Sequence, residues 1–542
     1  MLALGLGAAG APAGAEPRTT PASTPFDLVG ATTDELRTAL VTGRVTCEEV
    51  VGGYLDRIAA YDDDLLSYIE VSGTALAEAR ALDRRKVSKG RSTPPMFCVP
   101  VVLKDNIDVE GLPTTAGSTV LEGMLPPDDA FVTSELTDAG AIVLGKANLD
   151  EFAFGFGGSS SLGGQVANAY DLTRGPGGSS SGTGAAVAAS LAMVGLGTDT
   201  GGSVRVPSSV EGLVGIRPTM RLVSQDGIVP LALFQDTAGP MCRTVQDCAL
   251  TLQVMAGFDD ADSSGQYTLP QQRDDRGVLL ESEQAYRDVV GAGPEAYTKA
   301  LKKNALRGAR IGVVRALFGS DPDVQAVLSD AMDAMRAAGA EVEDVVVPDL
   351  ETITGFTSNS RYEFKDHLTG YLSDRPEDGY PRSFDEVAAA TESRQSTFAF
   401  YAQTGTDRYE NPDYDRNTLE RPDYVRPRLE AALDNVSLDG EVQGEAYDAL
   451  LYPSVVSLPR VGNAPSAGAN NRLSPYSGFP ALTMPAGFTP ATADRPTLPV
   501  GMELLGREFD EATLISLAYA YQETVAGSDL ARVEPPTAPA LD

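Results

Sequence analysis

An α/β fold, a single large domain whose mixed, mostly parallel central sheet is covered by helices, is predicted by two features of this 542-residue chain. Short β-branched apolar runs alternate with helix-length amphipathic segments along most of its length. Hydrophobic residues make up 42% of the composition, enough for a substantial core. No internal repeat interrupts the alternation.

The elements follow in order. Residues 1–15 (MLALGLGAAGAPAGA) carry a short apolar core and a small-x-small site, Ala13-Gly14-Ala15, and read as a secretory signal remnant without its basic n-region. Residues 16–27 form a Pro/Thr-rich leader. Helices are expected at 33–41 and 46–60, separated by Gly43. The second opens on the capping-box pattern Thr46-Cys47-Glu48-Glu49 and sets Val51, Tyr54, Leu55 and Ile58 on one face. A third helix covers 74–85. Val99–Leu103 reads as a buried strand that stops abruptly at Lys104-Asp105-Asn106. A helix near 130–139 leads into a strand at 141–145 and Lys146, and 194–198 is a further strand. Residues 310–314, 321–340 and 341–347 make a strand–helix–strand unit. Strands at 448–456 and 498–506 precede a helix at 510–525. Residues 28–526 form the expected domain, with peripheral insertions near 258–300 and 375–447. Residues 527–542 are a tail, its last ten residues loose and Pro-rich.

Composition narrows the function. The chain has 76 acidic and 42 basic side chains, a formal charge of −34. That sign opposes nucleic acid and anionic membranes as partners. No apolar run approaches the roughly 20 residues of a membrane span. A secreted or extracellular protein is expected, with a cytoplasmic one as the alternative. The four cysteines match no zinc spacing. They form either two disulfides, Cys47–Cys98 and Cys242–Cys248, or four buried thiols. The single histidine, His367, sits in a charged, helical context and reads as a satisfied or surface residue. A multi-histidine metal site is thereby excluded, and a nucleophile here works without a histidine partner. No metal or cofactor is expected.

Chemistry concentrates in Arg174–Arg205, RGPGGSSSGTGAAVAASLAMVGLGTDTGGSVR. Two glycine-flanked serine clusters bracket an Ala-rich, helix-length segment. Glycine beside serine puts hydroxyls and bare N–H groups on tight turns, which suits a nucleophile with a backbone oxyanion site. A lysine ending an apolar strand is unusual, because burial favours its neutral form and makes it a base near neutral pH. Lys104 and Lys146 both meet that description.

The blocks VPVVLKDNIDVEGLPTTAGS, GPGGSSSGTGAAVAASLA and GLGTDTGGSVRVPSSVEGLVGIRPT, in this order and spacing, resemble the amidase signature family of serine hydrolases. The similarity runs from about residue 27 to 525 and includes QDTAGPM, YEFKDHLTGYL and SGFPALTMPAGF. YEFKDHLTGYL further resembles the peptide-amidase-like, oligoamide-hydrolysing branch. The resemblance implies a Ser-cisSer-Lys triad, with Ser203 as nucleophile, Ser179 as bridge after a cis peptide bond, and Lys104 rather than Lys146 as base. It also implies an oxyanion hole from the backbone N–H groups of Thr200, Gly201, Gly202 and Ser203. Asp199 and Arg205 straddle the nucleophile turn as supporting residues. The sequence departs from the family at Ser181, which replaces a glycine, at Asn168-Ala169-Tyr170, and at Phe97-Cys98.

The implied activity is hydrolysis of linear carboxamide C–N bonds through an acyl-enzyme, on a small-molecule or oligomeric amide, by a monomer or homodimer. The alternatives are the amidase subunit of a tRNA-dependent amidotransferase and a catalytically inactive binding protein. Substrate loops are expected at 154–158 and 470–478.

Overall fold

Among the described residues eleven strands share one sheet, and their order explains where the site lies. The computed structural model describes residues 26–85, 93–262, 283–290, 296–373, 375, 379–406, 411–418, 420–462 and 469–541. The signal-like segment 1–15, nearly all of the leader, and much of the 258–300 insertion lie outside the described residues. The strands are β1 (Tyr68–Val71), β2 (Pro100–Lys104), β3 (Ile142–Ala147), β4 (Ser159–Ser160), β5 (Gly164–Gln165), β6 (Val194–Thr198), β7 (Val214–Arg217), β8 (Ala238–Cys242), β9 (Arg310–Val313), β10 (Glu341–Asp344), β11 (Ala449–Pro453), β12 (Ala481–Phe488) and β13 (Pro499–Leu505). Among the described residues, short β4 and β5 pair only with each other. The rest run β1-β3-β2-β6-β8-β7-β12-β13-β11-β9-β10.

The sheet is mixed. Pairing is parallel through β3-β2-β6 on one flank and β11-β9-β10 on the other. Between the flanks, and at edge strand β1, it is antiparallel. Helices cover it to complete a single α/β domain, and β2, β3 and β6 are buried along their whole length. On β6, glycine admits close approach by the helix Ser181–Ala188. A Cβ on Gly195 would sit 2.4 Å from the Thr183 methyl, and one on Gly197 would sit 2.8 Å from Ser180 Cβ. The two serine clusters are therefore brought together because the helix between them lies directly on the strand that follows it.

Helix Cys47–Leu65 contributes a buried arginine to the same region. Arg57 donates to the carbonyls of Ala189 and Ser190 at 2.8 Å each, which satisfies the free C-terminal end of the helix Ser181–Ala188. Its guanidinium also donates to Ala538 and Pro539 at 2.8 Å each. Tyr170 adds a 2.7 Å bond to the Val533 carbonyl. The tail expected to be loose is thus docked, because its carbonyls complete the coordination of a buried cation.

Cys47 and Cys98 are joined by a disulfide. Cys242 and Cys248 are not: both are free and buried, so the expected second bridge is corrected. The Cys248 thiol is directed instead to the Val214 carbonyl, at 3.4 Å. The 375–447 segment also differs from the peripheral, turn-rich insertion expected. It contains helices Phe384–Ala390, Gln395–Thr406, Pro412–Thr418 and Glu420–Asp434. Its Phe384, Phe398 and Tyr401 pack against Phe152, Phe154 and Phe364 near the site.

Candidate active site

Lys104 ends β2 with its ammonium end buried inside the protein. Its Nζ lies 2.7 Å from Ser179 Oγ and 2.8 Å from Oγ1 of Thr198, the last residue of β6. Asn106 Nδ2 donates to the same Thr198 oxygen at 3.1 Å. Ser179 follows a cis peptide bond from Gly178 and stands just before the helix Ser181–Ala188. Burial holds the Lys104 pKa down to about 7, against the opposing pull of the Asp150, Asp199 and Asp236 charges. A neutral amine is therefore accessible at ordinary pH.

Ser203 lies on the turn after β6, at the wall of a cleft of about 1040 Å³. The Ser180 N–H donates to the Ser203 carbonyl at 3.2 Å, which ties the two serine clusters together. Among the described residues, no protein acceptor meets the N–H groups of Thr200, Gly201 or Ser203. Gly202 is different: its N–H donates to Asp199 Oδ1 at 2.7 Å. Of the four N–H groups expected to face an oxyanion, the Gly202 N–H is therefore the one engaged in holding the turn.

Asp199 organises that turn. Its second oxygen accepts from Val204 N at 3.1 Å and from Arg205 Nε at 3.1 Å. Burial alone would raise its pKa, but the Arg205 and Arg217 charges hold the carboxyl well below the usual carboxylate range. Arg205 extends the network to Glu503 on β13, at 2.5 Å, and to the Asn471 carbonyl, at 2.9 Å. The Asn471 side chain in turn donates to the Gly201 carbonyl. Gln235 Nε2 donates to the Thr200 carbonyl at 2.9 Å, and Thr200 Oγ1 to Asp236 at 2.5 Å. The Ser203 turn is thus held from behind while its cleft side stays open.

Lys146, the other strand-end lysine, lies apart from this constellation. Its Nζ is 3.4 Å from Asp105 Oδ1 and donates to Thr114 Oγ1 at 2.8 Å and the Pro113 carbonyl at 2.9 Å. His367 is buried, and its Nδ1 accepts from the Leu233 N–H at 3.2 Å. It is a satisfied residue rather than a surface one. The expected substrate loops contribute Phe154, Gly155, Phe156, Asn471, Arg472 and Tyr476 to the cleft. Sequence reasoning misses Thr198, Asn106, Gln235, Asp236 and Glu503 as individual members of the site, and places Asn471 only within the expected loop 470–478. Asn106, Thr198, Gln235 and Asp236 fall inside motif blocks that the sequence displays, while Glu503 falls in none of them.

Known proteins are similar to this chain over nearly its whole length. The family model described as Amidase matches residues 49–515. The chain belongs to the Amidase family. It is 33% identical to a subunit of the glutamyl-tRNA(Gln) amidotransferase from Moorella thermoacetica, over 92% of this chain and 97% of that one. Among solved structures, native peptide amidase from Stenotrophomonas maltophilia superposes with a TM-score of 0.77 at 32% identity, covering 93% of this chain and 98% of that one. An amidase family protein from Bacillus anthracis gives a TM-score of 0.74 at 29% identity, covering 94% and 92%. This Amidase-family chain is a hydrolase-type enzyme acting on amide carbon–nitrogen bonds.

Proposed function

We propose that the protein hydrolyses linear carboxamides through an acyl-enzyme on Ser203, with Ser179 as proton bridge and Lys104 as general base. The observation that carries this reading is the 2.7 Å contact between a buried Lys104 Nζ and Ser179 Oγ, beside a nucleophile turn that faces the cleft. With Lys104 neutral, one N–H stays on Thr198 Oγ1 and the lone pair accepts the Ser179 proton as Ser179 takes one from Ser203. Ser203 Oγ then attacks the carbonyl carbon. The N–H groups of Thr200, Gly201 and Ser203 receive the oxyanion, and one such donor contributes ~2.7–4 kcal/mol in a known case. The proton returns through Ser179 to the leaving amine. Water repeats the sequence to release the acid. The Cys47–Cys98 disulfide supports work in an oxidising, extracytoplasmic compartment.

The test is covalent labelling. A fluorophosphonate should label Ser203 in the parent, and Ser203→Ala should lose both labelling and amide turnover while remaining folded. A Ser203→Ala protein with near-parental turnover would remove the reading. A second reading, the glutamine-hydrolysing component of an amidotransferase assembly, is favoured by the 33% identity to glutamyl-tRNA(Gln) amidotransferase subunits. Glutaminase activity that appeared only with partner proteins present would select it.

A further inference from the structure

The cleft beside Ser203 has a lining unlike the rest of the chain. The sequence holds 76 acidic residues, yet among the described residues that line the cleft none is Asp or Glu. The one charged lining side chain is Arg472. Aromatic rings form much of the wall, among them Phe154, Phe156, Phe400 and Tyr401. Phe400 is 40% exposed, so its ring is accessible from the cleft it lines. Phe154 and Tyr401 are braced. Tyr401 stacks on Phe154 with ring centroids 5.1 Å apart, and Phe364 meets Phe154 edge-on at 4.9 Å. Held this way, the rings keep their positions when the cleft is empty, so little ordering entropy remains to be lost on binding.

We propose that the cleft selects amides bearing an uncharged aromatic or bulky aliphatic group beside the scissile bond, seated against Phe154, Phe400 and Tyr401, and rejects a positive charge there. The proposal rests on the hydrolase reading and names its substrate class. Apolar area removed from water against these rings drives binding, and ring–ring geometry adds to it. An ammonium carried into the same place loses hydration with no lining carboxylate to pair with. Aromatic faces do attract cations, but here two cations are already present. The Arg361 guanidinium lies over the Phe400 ring, 4.9 Å from its centroid, and Arg472 sits in the lining with Nη1 donating to the Thr354 carbonyl. A carboxylate is therefore tolerated better than an ammonium. Free glutamine ranks low for the same reason, since its α-ammonium finds no acidic partner in the described lining.

Four amides test the order: the N-acetyl amides of phenylalanine, glutamate and lysine, with propionamide as the small reference. The expected kcat/KM places phenylalanine amide at least about 10-fold above propionamide and about 100-fold above lysine amide, with glutamate amide between the last two. Phe400→Ala should lower the ratio of phenylalanine amide to propionamide turnover about 10-fold, chiefly through KM. Tyr401→Leu provides a second variant that keeps apolar bulk and loses ring stacking. Lysine amide cleaved as well as phenylalanine amide, or an unchanged ratio in both variants, overturns the proposal. Calorimetry with Ser203→Ala separates it from the hydrolase reading. Preferential binding of phenylalanine amide with no turnover of any amide by the parent sinks the chemistry and keeps the selectivity. Propionamide turnover without aromatic preference does the reverse, and neither binding nor turnover sinks both.

Discussion

Lys104 ends β2 and Lys146 is the last residue but one of its parallel neighbour β3, and both are wholly buried. In the register of β2 and β3, Lys146 stands opposite Leu103, one residue from Lys104. Burial disfavours the charged form of each. What separates them is the partner. Lys146 has the Asp105 carboxylate at 3.4 Å, itself braced by the N–H groups of Thr115 and Gly117 at 3.2 Å each. Among the described residues Lys104 touches no carboxylate: its direct partners are two hydroxyls. One amine faces a carboxylate and joins loops. The other is left near neutrality beside a serine. Two lysines buried alike thus differ in what they face, a carboxylate in one case and hydroxyls in the other.

Four measurements break or sharpen that contrast. The largest effect is expected from Lys104→Met, which removes the proton acceptor while filling a similar volume. Amide kcat/KM should fall ~10²–10⁴-fold. A matched nitrophenyl ester should lose at least about 10-fold less, because its leaving group needs no returned proton. Equal losses would assign Lys104 to positioning alone. Next comes Lys146→Met, which strands the Asp105 carboxylate in the interior. Denaturant unfolding should show a loss of ~3–5 kcal/mol, partly restored by adding Asp105→Asn. Activity lost at unchanged stability would exchange the two roles.

The third effect is smaller. Cys47→Ser opens a disulfide with a sequence separation of 51. The loop-entropy model allows at most about 4 kcal/mol for that closure. Thiol titration of the denatured, unreduced parent should find two thiols, Cys242 and Cys248; four would remove the bridge. The smallest effect is the pH limb. Because the Lys104 pKa is lowered to about 7, protonation below that pH removes the base, so kcat/KM should rise with pH and level off above about 7. Below the midpoint the fall approaches ~10-fold per unit for a single titrating base. Lys104→Met should abolish this limb and Lys146→Met should keep its midpoint. An unchanged limb in Lys104→Met would move the titration to another group.

Local sequence reveals most of what an apolar run can show. Val99–Leu103, Ala141–Gly145 and Val194–Thr198 lie on β2, β3 and β6, the flank that carries Lys104, and the motif blocks locate Ser179 and Ser203. The middle of the sheet is less legible. Strand β8 reads AGPMC and β12 reads ALTMPAGF, where glycine and proline mimic loop composition. A Cβ on Gly239 would lie 2.1 Å from the Ile216 carbonyl oxygen, so glycine serves contact between neighbouring strands there. The antiparallel returns through these strands are invisible for the same reason. Helices in 375–447 are hidden by charge and proline, and by aromatics that pack on a neighbouring cluster instead of making a regular apolar stripe. Long-range partners carry no local mark: Asn471 reaches Gly201 across 270 residues and Glu503 reaches Arg205 across 298. The engagement of the Gly202 N–H by Asp199 is likewise a matter of carboxylate placement, which spacing does not encode.

The docked tail has a practical consequence for anyone reshaping this chain. Read as a loose, Pro-rich end, residues 533–539 invite trimming or replacement by an affinity handle. They instead supply carbonyl oxygens to Tyr170 and Arg57, and Arg57 also seals the end of the helix that begins beside Ser179. A deletion there would expose a guanidinium socket underneath the catalytic layer. Shortened or fused versions should therefore be engineered elsewhere, at surface segments such as 437–442 that bear no such socket.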